Sequence, residues 1–504
     1  MLRNPQSGAT ALQRGIEKES LRVTAKGELS TLPHPQALGS ALTHPQITTD
    51  FSEAQLELIT DVHTSAQACL TQLQDVHRFV YSGIGDELLW PSSMPCLVGN
   101  DEDIPIGRYG RSNIGQAKSV YRHGLGVRYG RLMQTISGIH YNFSLPTQLL
   151  AALGYADQDA ITDAYFGLIR NFRRWSWLLL YLFGASPAVC KSFTRNLSHN
   201  LLERDEGSQY LPYATSLRMG PLGYQSSAQS QLNISYNSLD QYAASMREAL
   251  TTEYPAYVEH GLQVDGEYQQ LNTAILQIEN EFYGTIRPKR PVRSGERPVN
   301  ALQDRGVEYV EVRCMDLNPY EPAGIDATTV HFLDTFLLSC LLCDSPPDTP
   351  EEIERLQANQ LKVVEQGRDP KLQLQADADS SIDLSQWAEQ LLALCADVAT
   401  GLDEAHQQTH FSDSVAAQIA KLRDPALTPS ARVLQDMQTQ KIPFFRFSMN
   451  QAINHANHFR GTPLTPGQVE QMQLEAAASF SAQADMEAAD QRSFDEFLKD
   501  YLAI

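Results

Sequence analysis

Gly15-Ile16-Glu17-Lys18-Glu19-Ser20-Leu21-Arg22-Val23 places two carboxylates two residues apart, so in an extended strand Glu17 and Glu19 share one face while Lys18 points to the other. Charged alternation of this kind is also how a solvated edge strand reads. Two acids so close repel each other unless a cation lies between them, and hard divalent ions such as Mg²⁺ take oxygen ligands of this type, with phosphate completing the shell. The stretch therefore predicts a strand with one acidic, metal-competent face, whose meaning depends on what else the fold brings to that face.

The chain has 504 residues, 42% of them hydrophobic, enough for a large core and for two or three domains or one large catalytic unit with helical additions. Its 39 Lys and Arg against 60 Asp and Glu give a net charge of -21, a field that argues against nucleic acid and anionic membranes as partners and leaves small ligands. Anionic ligands require local arginine clusters or bound cations to override that field. Met1 to Gly8 lacks the apolar core of a secretory signal, which predicts a protein that is not exported. The apolar run Trp175 to Phe183 stops at Gly184 and Pro187, short of the roughly 20 residues that span a bilayer, and predicts a buried helix. Seven scattered cysteines do not form a disulfide framework and predict a reducing cytoplasm. Cys340 and Cys343 sit among leucines and read as buried helix thiols rather than zinc ligands.

Up to about residue 330, short alternating runs mix with apolar helices, which reads as an α+β fold with antiparallel strands. Asp344-Ser345-Pro346-Pro347-Asp348-Thr349-Pro350 combines turn formers with a helix start, and the chain beyond it has helical spacing. The expected division is a catalytic α+β unit over 1–343 and a mainly helical part over 344–504 packed on it. Phe494, Phe497, Leu498, Tyr501 and Leu502 make an apolar stripe suited to packing, with no chemistry evident.

Familiar motifs fail. Gly110 and Gly115 precede Lys118-Ser119 with Gln116-Ala117 in between, whereas a phosphate loop needs its lysine directly after the second glycine. Other segments hold. Ile139 to Ser144 alternates as a half-buried strand that turns His140 to its polar face, and a neutral imidazole among carboxylates suits a divalent metal. Val307 to Arg313 is another strand, with Glu311 and Arg313 on one face, one fit to bind metal and the other to clamp a phosphoryl oxygen. Thr48 to Leu58 offers Asp50 and Glu57, whose joint use depends on a bend in the chain. Arg287, Lys289, Arg290, Arg293 and Arg297 form a basic, Pro-rich loop in an acidic chain, and Arg122 and Arg218 are further anion-binding candidates.

In this order the segments resemble bacterial glutamate–cysteine ligases. The likeness is carried by Gly15 to Val23, Gly39 to His44 with Ile47 to Phe51, Trp90-Pro91 with Met94 to Cys96, Met133 to Pro146, Tyr181 to Pro187, Leu211 to Tyr224, Gln277 to Glu281 with Arg287 to Arg290, Glu308 to Asn318, and Ser430 to Arg432. It is dense over residues 11 to 330. The resemblance implies a glutamine synthetase-like catalytic unit, in which antiparallel strands line a funnel and carboxylates hold Mg²⁺ or Mn²⁺. It implies one metal group of Glu17, His140 and Glu311 near ATP phosphates, and a second of Glu19, Asp50 and Glu57 near the γ-carboxyl of glutamate. Arg313 then contacts the transferring phosphoryl group with Arg122 helping, Arg218 holds a substrate carboxylate, and Arg287, Lys289 and Arg290 serve the nucleotide. Phe51, Tyr121, Leu125, Tyr224 and Tyr283 resemble the cysteine pocket. The implied protein is a cytoplasmic monomer that binds L-glutamate, L-cysteine and ATP. A carboxylate-amine ligase with another acceptor amine, or a silent metal- or nucleotide-binding relative, are the competing readings.

Overall fold

β1 (Gln13–Val23) is the long central strand of a seven-stranded antiparallel sheet, in a computed structural model that describes residues 2, 8–223, 228–229, 232–293 and 295–503. β2 (Ile47–Thr49) and β3 (Gln55–Ile59) form a hairpin on one side of it, and β4 (Leu88–Leu89) pairs with its end. β5 (Ile139–Ser144) lies on the other side, followed by the strands Tyr309–Met315 and Ile286–Lys289. Register decides which side chains meet. Glu17 stands opposite both His140 and Ile59, Glu19 opposite Glu57, and Glu311 opposite both Asn142 and Arg287. Because side chains alternate across a strand, these pairings collect the polar groups of five strands on one face.

The other face of β1 is buried against helices. α1 (Ala66–Gly83) starts at the Ser65 cap and turns Cys69, Leu70, Leu73, Val76, His77 and Val80 inward at helical spacing. Lys18 is buried there, its Nζ 2.8 Å from His77 Nε2, and burial pulls its pKa down to about 7. Arg22, on the same side, is fully buried and holds Glu87 at 2.6 Å. The solvated-strand alternative for this stretch is thereby excluded.

The α+β expectation with antiparallel strands holds, while the run from Trp175 is divided at Ser176, Trp175 ending one helix and Trp177–Phe183 forming a second, buried one. Beyond residue 344 the chain is helical apart from the hairpin Gln373–Gln375 and Ser381–Asp383. Its helices contribute Val363, Leu392, Val415 and Phe447 to the core that also holds Ile16, Phe143 and Val312. No helix among the described residues is long and apolar enough to cross a membrane. One expectation needs correcting. Cys96 and Cys190 are joined in a disulfide, with Cα atoms 5.5 Å apart across 94 residues of sequence. Cys190 ends the strand Ala188–Cys190, and the tertiary fold, which the spacing of cysteines does not encode, sets it beside Cys96.

Candidate active site

The polar face of the sheet opens into a cavity of about 300 Å³ whose floor carries Glu17, His140, Glu311 and Arg313, with Glu57 at the β3 side. His140 is the hinge of the arrangement: its Nδ1 lies 3.2 Å from Glu17 and its Nε2 3.6 Å from Glu19. The other oxygen of Glu17 accepts from Asn142 at 2.8 Å. Glu311 receives Lys289 at 3.0 Å and Arg313 at 3.1 Å, with Arg287 at 4.0 Å. Glu19 lies under this floor, accepting the Gly138 amide at 2.7 Å. Gly138 has a reason to be glycine, since a Cβ there would lie 2.0 Å from the Arg218 guanidinium.

Charge separates the acids. Burial works to raise Glu311, but Lys289, Arg313, His140 and Arg287 overcome it and hold its pKa well below the usual carboxylate range. Burial also works to raise Glu17, and the hydrogen bond with His140 turns the balance downward. Glu57 goes the other way, pushed well up by burial and by Glu17, Asp50 and Glu19. Glu19 is likewise raised, by burial and then by Asp50.

Glu17, His140 and Glu311 each offer a donor atom, and these atoms lie within 4.8 Å of one another. Two carboxylates and an imidazole form a donor set that fits a divalent cation. Glu19, Asp50 and Glu57 do not join a donor group this close among the described residues.

Asp50 and Glu57 meet through a bend. β2 and β3 fold back on each other, Asp50 begins the turn, and its amide donates to the Gln55 carbonyl at 3.0 Å. The Asp50 carbonyl accepts from the Arg122 guanidinium, which also lies 4.4 Å from the Tyr109 ring. Arg122 belongs to α2 (Asn113–Tyr129), capped by Ser112. This helix supplies a stripe of Ile114, Ala117, Lys118, Tyr121 and Arg122 to the cavity. Sequence reasoning misses Lys118 as a site residue. It lines the cavity with its pKa lowered to about 8 by burial and by Arg122, and its helical spacing from Tyr121 and Arg122 is the available signal. Asn280 and Tyr501 also line the cavity, outside the expected set.

Other expected residues lie elsewhere. Phe51 and Leu125 are buried in the main core near this wall. Tyr283 accepts a hydrogen bond from Gln134 at 3.0 Å and lines a neighbouring cavity with Gln229 and Arg173. Arg218 is buried, donating to the Arg313 carbonyl at 3.0 Å and lying 3.9 Å from Asp316. Arg290 pairs with Glu308 at 2.9 Å and lines a third cavity beyond Lys289. Arg297 pairs with Glu279 at 2.8 Å. Tyr224 lies outside the described residues.

Known proteins share this arrangement of chain. A family model described as glutamate-cysteine ligase matches residues 2–363. A glutamate–cysteine ligase of Alcanivorax borkumensis is 50% identical over 99% of this chain and 98% of its own, and one of Pseudomonas putida strain W619 is 51% identical over 97% and 94%. The crystal structure of a glutamate–cysteine ligase from Francisella tularensis in complex with AMP superposes with a TM-score of 0.93 at 39% identity, covering 98% of this chain and 97% of that one. A bifunctional glutathione synthetase from Pasteurella multocida gives 0.71 at 25% identity, covering 90% of this chain and 54% of that one. Fold, cavity and likenesses define an enzyme of the ligase class. Within that class, the chain belongs to the glutamate–cysteine ligase family.

Proposed function

We propose that the protein joins the amine of L-cysteine to the γ-carboxyl of L-glutamate at the expense of ATP, giving γ-glutamylcysteine, ADP and phosphate, the first step of glutathione biosynthesis. The observation that carries this reading is the meeting of Glu17, His140 and Glu311 with Arg313 and Lys289 in one cavity, in a chain of this family. The γ-phosphoryl group of ATP passes to a γ-carboxylate oxygen, ADP leaves, and the amine nitrogen then attacks the acyl phosphate carbon, expelling phosphate and losing a proton. Divalent cations, Mg²⁺ or Mn²⁺, would be held by Glu17, His140 and Glu311 and by Glu19, Asp50 and Glu57, and would neutralise charge on the phosphates and on the carboxylate being activated.

The side chains do the rest by position. Arg313 is aimed across the floor from Glu311, so its donors can follow the phosphoryl group in flight. Lys289 and Arg287 keep Glu311 ionised and set positive charge at the phosphate end. We assign Arg122, fixed by the Asp50 carbonyl and the Tyr109 ring, to help Arg313 at the transferring phosphoryl group. We assign the amine acceptor to the Tyr121 side of the cavity, with Phe51 and Leu125 behind it and Tyr283 and Tyr224 at its margin. We assign to Arg218 the support of Glu19 and of a substrate carboxylate, and to Arg290 the outer rim of the nucleotide site. Residues 344–504 act with 1–343 as one catalytic unit.

The test is ADP release from ATP with purified protein, Mg²⁺ and glutamate, with cysteine present or replaced by 2-aminobutyrate, alanine or glycine. ADP formation should require glutamate and run fastest with cysteine, with 2-aminobutyrate accepted next, since small differences in an apolar acceptor are worth only about 1–3 kcal/mol. ADP formation independent of glutamate sinks the reading.

A further inference from the structure

The Phe494–Tyr501 helix lies outside the matched span of 2–363, yet Tyr501 lines the catalytic cavity. Its stripe packs on α2 and on the 268–278 segment as a small core of its own, centred on Ala117, Leu271 and Leu498 and separate from the main core. The exposed side of that small core is one wall of the cavity, where Tyr501 meets Ala117, Leu271 and Ile278. The helix is pinned at both ends. Asn113, at the start of α2, donates its side-chain amide to the Arg492 carbonyl at 3.1 Å, and Tyr268 donates to Asp495 at 2.7 Å. At the other end Arg297, ion-paired with Glu279, donates to the Tyr501 carbonyl at 3.2 Å, with its guanidinium 5.7 Å from the ring. Phe497 stacks on that ring from behind at 5.5 Å. Such anchoring leaves the phenol little freedom and fixes it at the cavity's edge.

The cavity thus has two unlike ends, a floor of acids and cations and a mainly apolar, aromatic wall with Lys118 beside it. A nucleotide has the same asymmetry, charged phosphates at one end and a flat aromatic base at the other, and bases gain affinity by lying on aromatic rings. We propose that Tyr501, with Ala117, Leu271 and Ile278, forms the base-binding wall of the nucleotide site, so that the Phe494–Tyr501 helix sets the affinity for ATP. This rests on the ATP-dependent reading of the cavity.

The experiment compares wild type with Tyr501→Ala, Tyr501→Leu and Tyr501→Phe in the full chain, reading kcat and the KM of ATP, glutamate and cysteine separately. Calorimetric binding of AMP, which keeps the base and loses most of the phosphate charge, is the second readout. Tyr501→Ala and Tyr501→Leu should raise the KM of ATP and weaken AMP binding about tenfold, leaving kcat and both amino-acid KM values within twofold. Tyr501→Phe, which keeps the ring, should behave as wild type. The leucine variant keeps the packing against Phe497 should the alanine variant fold poorly. Unchanged ATP and AMP affinity in the leucine variant, a rise confined to cysteine or glutamate, or an equal loss in the phenylalanine variant each overturns the proposal. A wild type that binds AMP but releases ADP without glutamate would instead overturn the ligase reading and leave the wall standing.

Discussion

The two acidic groups of the site are built from the same residue types on the same sheet, and they are in opposite electrostatic states. Glu17 and Glu311 are both held low despite burial, Glu17 by His140 and Lys289 and Glu311 by Lys289, Arg313, His140 and Arg287. Glu19, on the same strand as Glu17, and Glu57, on the neighbouring β3, are both pushed up, Glu19 by burial and Asp50, and Glu57 by burial, Glu17 and Asp50. In the first group the countercharges outweigh burial, whereas at Glu19 and Glu57 burial and the neighbouring acids outweigh His140, Arg218, Arg313 and Arg122.

Four experiments put the contrast at risk. The largest effect is expected for Arg313→Ala and Glu311→Gln, which remove the cation and the anion of the compensated group; turnover should fall about 10³-fold for the arginine and at least about 10²-fold for the glutamate, with circular dichroism unchanged. Wild-type rates in either would end the role assignments. Lys289→Met removes the charge 3.0 Å from Glu311, and kcat/KM for ATP should drop about tenfold, more at pH 6 than at pH 8, because Glu311 then takes up a proton more readily.

A third experiment reads stability in EDTA by urea unfolding at pH 5 and pH 8. Glu57 is raised above its unfolded value of 4.5, so the folded state keeps a proton that the unfolded state has released, and its contribution is lost as pH rises through the folded pKa. Glu311 is lowered below 4.5, so its contribution is present above that value and is lost only as pH falls through the folded pKa. Glu57→Gln should therefore gain on wild type between pH 5 and pH 8, while Glu311→Gln should be destabilised at both, and Mg²⁺ should narrow the Glu57→Gln difference. Identical pH responses in the two variants would erase the contrast. The smallest effect on activity belongs to Lys18→Met, on the buried face of β1. It should cost about 1–3 kcal/mol of stability through the His77 Nε2 left without its partner while leaving kcat within about twofold.

How much the sequence reveals depends on the range of the interactions. Alternation within one strand is local, so the acidic face of β1, the inward imidazole of β5, the Glu311/Arg313 pair and the opposite facing of Lys18 are all legible. The joint position of Asp50 and Glu57 stays open because residues 50–54 carry no Gly or Pro to mark the reversal, and the turn forms by backbone pairing between β2 and β3. Lys118 is hidden within a failed phosphate loop, although the helix it lies on carries it to the same cavity. The Cys96–Cys190 disulfide and the Tyr501 wall depend on contacts between segments far apart in the chain, and no local pattern encodes those.

The central position of β1 also bears on how the chain is made. During synthesis β3 and β4 emerge soon after it, but β5, which completes its other edge, follows much later, so that edge of β1 stays open in the interval. An unpaired apolar strand is an invitation to intermolecular association. Glu17 and Glu19 interrupt that apolar surface with two like charges, the type of gatekeeper that discourages strand-to-strand stacking between nascent chains. Neutral replacements at both should therefore lower the soluble yield, read as the fraction of expressed protein that stays in the supernatant.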